Sequence, residues 1–209
     1  MDSPRIVFED NHLLVAFKPA GYLSQSDGTD APDMLTYLKD YIKVKYNKPG
    51  NVYLGLLHRL DRNVSGLMVF ARTSKCASRM SEQIRKGDLD KRYRARVQGK
   101  LEGEGVLVNY LVKDTKANKT AVYDREVPGS KRCELHYSAG EFDGEYTSVD
   151  IKLITGRSHQ IRAQFSHAGH PLYGDVKYGG QKSSDGLGLI SVYLAFNHPV
   201  SGERMEFSL

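Results

Sequence analysis

Residues 58–66, His58-Arg59-Leu60-Asp61-Arg62-Asn63-Val64-Ser65-Gly66, form the densest cluster of reactive side chains in the chain. An aspartate flanked by two arginines is held ionised, because a nearby cation favours the charged form. In a charged loop ending on glycine, such a carboxylate is a candidate nucleophile or base. The competing reading is a solvated loop laced with surface ion pairs. Other signals are thinner. His159, His167 and His170 suggest zinc by residue type, but no cysteine or matching fourth ligand completes the set, so no metal is expected. Gly186-x-Gly188 lacks the rest of a dinucleotide fingerprint and no phosphate-binding Gly-x-x-x-x-Gly-Lys-Ser/Thr run occurs, so no nucleotide cofactor is expected.

The elements that must position these residues follow from periodicity. Arg5 to Phe8 and His12 to Phe17 are short apolar runs that read as strands, broken by Lys18-Pro19-Ala20-Gly21. Met34, Leu35, Leu38, Tyr41 and Ile42 recur at helical spacing, with Pro32 placed for a first helical turn and Lys48-Pro49-Gly50 as the stop. The loop 58–66 leads into an apolar strand, Leu67 to Ala71. A helix then opens at Ser74, with Ala77, Met80 and Ile84 on one face and Gly87 ending it. Lys91 to Val97 alternates strictly, setting Tyr93, Ala95 and Val97 against Arg92, Arg94 and Arg96. Short strands fill residues 105–154. Ser158 is placed to cap a helix with Ile161, Phe165 and Ala168 facing inward, and strands near Leu187 to Phe196 and Arg204 to Phe207 close the chain. With no repeat or long linker, the pattern predicts a single α+β domain over residues 1–209, with a mixed, mostly antiparallel sheet flanked by helices.

Among 209 residues, 40% are hydrophobic and 26% charged, and no apolar run approaches the ~20 residues that a membrane-spanning helix needs. No secretory leader is visible at Met1 to Arg5, and Cys76 and Cys133 read as ordinary thiols of a reducing compartment, so a cytoplasmic location is expected. The net charge of +5 favours a polyanionic partner. Its distribution says more: between Arg72 and Lys100 stand ten Lys or Arg against only Glu82, Asp88 and Asp90.

The cluster and its surroundings resemble the RluA-type pseudouridine synthases. His58 to Ala71 is similar to that family's motif His-Arg-Leu-Asp-Arg-x-Thr-Ser-Gly-Leu, and Lys18 to Gly21 to its Lys-Pro-x-Gly element. Lys91 to Gly99 resembles its Lys-x-Tyr-x-Ala-x-Val-x-Gly strand. Gly156 to Gly179 resembles its last signature, Gly-Arg-x-His-Gln-Ile-Arg followed by Gly-x-Pro-Leu-x-Gly-Asp and Tyr-Gly. Four motifs in the family's order cover nearly the whole chain. Val64 in place of threonine, and Ala163-Gln164-Phe165 in the last signature, depart from the pattern and bear on substrate preference more than on activity. Many such proteins carry an N-terminal S4-type RNA-binding module; here Arg5 already begins the resembling region, which implies the form without it.

The resemblance implies the pseudouridine synthase fold and an isomerisation of uridine in RNA, ribosomal or transfer, without metal or organic cofactor. The bond from N1 to the ribose breaks, the uracil turns, and C5 joins the same carbon. A carboxylate can attack the anomeric carbon or remove the 2′ proton, and both routes stay open. By resemblance Asp61 is that carboxylate, Tyr93 stacks on the base, and Arg162 pairs with Asp61. From the residues alone, Tyr93 reads equally as a core tyrosine and Arg162 as a solvated one. Arg59 would fill the gap left by a flipped nucleotide. Arg62, Arg157 and His159 fall among the substrate-binding residues, and Arg157 with the Arg92, Arg94 and Arg96 face reads as phosphate contacts. A monomer is expected, since the protein must wrap a folded RNA. Two other classes compete: a non-catalytic RNA-binding factor on the same scaffold, for which an ionised aspartate near phosphates has no use, and a glycosidase or nucleosidase, for which Asp61 lacks a carboxylate partner.

Overall fold

The computed structural model describes residues 3–209. Its elements run β1 (Arg5–Glu9), β2 (Leu13–Lys18), α1 (Met34–Lys45), β3 (Gly55–Leu56), β4 (Ser65–Ala71), α2 (Ser74–Lys86) and β5 (Asp90–Gln98). They continue with β6 (Glu104–Asp114), β7 (Lys119–Tyr123), β8 (Lys131–Phe142), β9 (Tyr146–Leu153), α3 (Gln160–His167), a 3-10 turn (Val176–Tyr178), β10 (Leu189–Asn197) and β11 (Arg204–Ser208). The class is α+β. The chain gathers into two compact units, one holding the residues up to Leu89 with Val192–Leu209, the other Asp90–Ser191.

In the first unit the strands lie in the order β1-β2-β4-β10, with β3 on β4 and β11 on β10. β2 and β4 are buried almost throughout, which is why both read as unbroken apolar runs rather than alternating ones. Leu13, Val15, Leu67, Val69, Leu194 and Phe196 form the core with Cys76 and Met80 of α2. The antiparallel register runs from Leu13 against Ala71 to Lys18 against Gly66. It therefore delivers the end of β2 to the point where the 58–66 loop enters β4. α1 begins later than Pro32 suggested. Asp33 is its N-cap, accepting from the Thr36 N–H at 3.0 Å, while the Pro32 carbonyl accepts from the Leu23 N–H at 2.9 Å. α2 is capped by Thr73 and ends on Gly87 in the left-handed conformation (φ 85°).

Glu9 ties β1 to the helix and to β4. Its nearly buried carboxylate accepts from Tyr46 Oη at 2.6 Å, Lys45 Nζ at 2.7 Å and Tyr41 Oη at 2.9 Å, with Arg72 at 3.0 Å. Burial alone would raise this carboxyl, but these donors and the Arg72 charge outweigh it and hold it below the usual range.

The second unit is ordered β5-β9-β8-β6-β7, with antiparallel pairs throughout. β5 alternates as its sequence demands: Tyr93, Ala95 and Val97 are buried, and Arg92, Arg94 and Arg96 are exposed on the other face. α3 packs over β6 and β7, with Gln164 donating to the Leu107 carbonyl at 3.1 Å and the buried Phe165 ring edge-on to Tyr137 of β8. Two expectations fail here. Ser158 does not cap α3; the N-cap is His159 in the left-handed conformation (φ 53°), with no side-chain cap. Ala168 is the exposed C-cap rather than a core residue, because the helix stops at His167.

Candidate active site

The loop 58–66 lies in the first unit, held on both sides of Asp61. On one side Ser24, 5% exposed, clasps Leu60 in both directions: its Oγ donates to the Leu60 carbonyl at 2.8 Å and accepts from the Leu60 N–H at 3.0 Å. On the other side the Arg62 carbonyl accepts from the Gly21 N–H at 2.8 Å and from Lys18 Nζ at 3.0 Å. Gly21 takes φ 91°, a backbone conformation that side chains disfavour. Arg62 Nε returns a bond to the Gly21 carbonyl at 3.1 Å, and the Val64 N–H closes the loop on the Asp61 carbonyl at 3.0 Å. Lys18 is fully buried, its ammonium also donating to the carbonyls of Tyr22 at 2.7 Å and Pro19 at 3.1 Å. Burial pushes this lysine down to about 8, while the neighbouring Asp61 carboxylate pulls the other way. His58 Nε2 accepts from the Val69 N–H at 3.1 Å and fixes the loop's entry. Asp61 is half-buried, and Arg59 and Arg62 are exposed.

Arg162, Arg157, His159 and Tyr93 lie in the second unit. Arg162 is 8% exposed, so the reading of it as a solvated residue is corrected. Asp175, 1% exposed, grips its guanidinium side-on, with Nε donating at 2.7 Å and Nη2 at 2.8 Å. The Tyr178 ring lies 5.1 Å below that guanidinium. Tyr178 Oη accepts from the Thr120 N–H at 2.8 Å and sits 2.8 Å from His159 Nδ1, while Thr120 Oγ1 donates to the Ser158 carbonyl at 3.0 Å. The Ser158 carbonyl is thus held by β7 and the His159 ring by the 3-10 turn, and the helix starts one residue after the serine, with His159 at its cap. Gly174 (φ 74°) precedes Asp175 where a Cβ would collide with the Gly186 backbone, so the turn that aims Asp175 needs glycine. Tyr93 is buried on β5 and Arg157 is exposed ahead of α3.

Lys18, Ser24, Asp175 and Tyr178 were missed as site residues. The Lys-Pro-x-Gly, Gly-Asp and Tyr-Gly elements hold three of them, Lys18, Asp175 and Tyr178, but nothing marked Ser24. The three arginines of β5 share the face opposite Tyr93, each with a carboxylate: Arg92 with Asp90 at 3.0 Å, Arg94 with Asp150 at 2.9 Å, Arg96 with Asp143 at 2.7 Å. Arg96 is further packed between the rings of Tyr146 and Tyr173. The histidines meet separate groups, His167 the Asp124 carboxylate and His170 the Gln98 carbonyl. Among the described residues, no three His, Cys, Asp or Glu gather as a metal site, and no helix is long and apolar enough to cross a membrane.

A family model described as RNA pseudouridylate synthase matches residues 12–167, three quarters of the chain. The chain belongs to the RNA pseudouridylate synthase family. A ribosomal large subunit pseudouridine synthase D from Vibrio parahaemolyticus is 31% identical over 223 residues, covering 97% of this chain. The chain spans 65% of that relative's length. A tRNA pseudouridine synthase C from the same organism is 32% identical, covering 96% of this chain and 87% of the relative. The fold is that of the human RNA pseudouridylate synthase domain containing 4, with TM-score 0.79 at 20% identity, covering 98% of this chain and 87% of that one. Human RNA pseudouridylate synthase domain containing 1 matches at TM-score 0.74 and 22% identity, covering 99% and 83%.

Proposed function

We propose that this chain isomerises selected uridines of RNA to pseudouridine, with Asp61 as the catalytic carboxylate. The observation that carries the reading is the clasp on both neighbours of Asp61, Ser24 on Leu60 and Lys18 with Gly21 on Arg62. A carboxylate that must reach one sugar atom gains rate from such pre-organisation, whereas a solvated surface loop has no need of it. Tyr93 serves the target base, and Arg162, held in one orientation by the Asp175 fork, is the cation the second unit offers to the reaction.

Asp61 either bonds to C1′ as N1 departs or takes the 2′ proton. Uracil leaves as an anion whose charge spreads over two carbonyls, so no acid need protonate a sugar oxygen. After rotation C5 bonds to C1′, displacing the Asp61 ester in the first route or, in the second, as Asp61 returns the proton to C2′; the C5 proton is then lost and N1 regains one, leaving the redox state unchanged and requiring neither metal nor organic cofactor. Arg59 fills the place of the flipped nucleotide, and Arg62, Arg157 and His159 contact the substrate strand. Relatives named for ribosomal and for transfer RNA support one or both as substrate. A single catalytic domain, monomeric and cytoplasmic, completes the reading. Arg92, Arg94 and Arg96 reach phosphates only by exchanging their carboxylates, so their share of binding is small.

The test is Asp61→Asn, assayed for pseudouridine in host RNA with RNA affinity measured in parallel. Product formation is expected to vanish while affinity holds or tightens, since the amide keeps the shape but can neither attack nor take a proton. Turnover near the wild-type rate would remove Asp61 from the mechanism.

A further inference from the structure

Resting on the RNA-acting reading above, we propose that the β6–β7 hairpin is the phosphate-docking edge of the second unit, through Lys113, Lys116 and Lys119, with Lys177 of the 3-10 turn beside them. The β5 arginines fit that role by sequence, and the structure separates the two groups by how their charges are occupied. Arg92, Arg94 and Arg96 each hold a carboxylate within 3.0 Å. The four lysines are exposed and have no carboxylate partner among the described residues. Asp114, the only acid in Lys113–Lys119, is turned to the backbone, accepting from the N–H groups of Lys116 and Ala117 at 2.9 Å each. A phosphate reaches such lysines without breaking an ion pair, whereas it must break one at each arginine.

The hairpin is also stiffly joined to the residues that would face the substrate. Lys177 Nζ donates to the Asn118 carbonyl at 2.9 Å, and Lys119 Nζ lies 5.6 Å from the centre of the Tyr178 ring. The same ring carries Arg162 on it and His159 at its hydroxyl, and Thr120, paired with Lys113 in the β6–β7 ladder, donates to that hydroxyl. The lysines thus stand at a fixed offset from Arg162 and His159, so a strand bound there is registered to α3 as well as attracted to it. The partner this fits is a run of phosphodiesters in RNA.

The experiment compares two charge-matched triples, Lys113→Gln/Lys116→Gln/Lys119→Gln and Arg92→Gln/Arg94→Gln/Arg96→Gln. Binding to host RNA is followed from low to high salt, and pseudouridine formation by the wild type is measured separately. The lysine triple is expected to flatten the log-log salt slope by roughly 0.7 per phosphate contact, about 2 in all, and the arginine triple by less than half of that. An unchanged slope in the lysine triple overturns the proposal, as does a larger loss in the arginine triple. Absence of product from the wild type, with the slopes behaving as expected, would sink the enzymatic reading and leave the docking edge standing. Unaltered thermal melting of the lysine triple is the control for fold, since all three side chains are exposed.

Discussion

The Asp61 loop and the turn leading into α3 are both held tightly, by different kinds of bond. Around Asp61 the contacts go to backbone: Ser24 grips the Leu60 amide and Lys18 and Gly21 grip the Arg62 carbonyl. At α3 the bonds that set Arg162 and His159 run between side chains, Asp175 to Arg162 and Tyr178 to His159, with Thr120 holding the Ser158 carbonyl ahead of them. A bond to a backbone group is indifferent to the side chain it carries, so the clasp itself does not depend on which side chains stand at positions 60 and 62. A side-chain fork fixes a charge and its direction, and tolerates almost nothing. One region holds a position; the other holds an orientation.

That contrast sets the size of the losses on breaking each device. Asp175→Ala should cost the most, about 3–5 kcal/mol in urea unfolding, because it strips a buried guanidinium of its fork. A cost under about 1 kcal/mol would mean that Arg162 is oriented by something else. Lys18 gives a smaller and pH-dependent effect. Its folded value of about 8 lies below the ordinary 10.5, so between those two pH values the unfolded chain binds more protons and stability rises with pH. The unfolding free energy of the wild type relative to Lys18→Met should therefore climb by up to about 3 kcal/mol from pH 7 to pH 10.5. A flat difference would mean that Lys18 is solvated in the fold. Ser24→Ala comes last, at about 1–3 kcal/mol for leaving the Leu60 amide unsatisfied. Its signature is kinetic: turnover drops while RNA affinity stays within about twofold, and a matching drop in affinity would sink the assignment of Ser24 to positioning.

What was legible in the sequence was what local spacing can encode. The β5 alternation and the helical face of Ala77, Met80 and Ile84 appear where their periods put them, because burial on one face imposes the period. The choice of Asp61, Tyr93 and Arg162 came from the four motifs and not from any period. The partners were not legible. Asp143 and Asp150 reach the β5 arginines from the far end of a hairpin and from a neighbouring strand, distances in sequence that no period spans. Lysine is a residue of surfaces, so nothing local announces a fully buried Lys18. Ser158 looked like a cap because serine is a preferred residue there, but the helix begins one residue later, with His159 in the left-handed conformation as its cap.

Position 18 also selects for more than charge. Three carbonyl oxygens surround its ammonium at 2.7–3.1 Å, standing where three water molecules would stand around a dissolved ammonium ion. The protein supplies a hydration shell made of its own backbone, and its geometry suits a compact tetrahedral head with three equivalent hydrogens. A planar guanidinium carries the same charge yet cannot point donors at all three oxygens from one centre. Lysine and arginine are therefore opposites here, and the loop beside Asp61 closes on an ion's coordination preference.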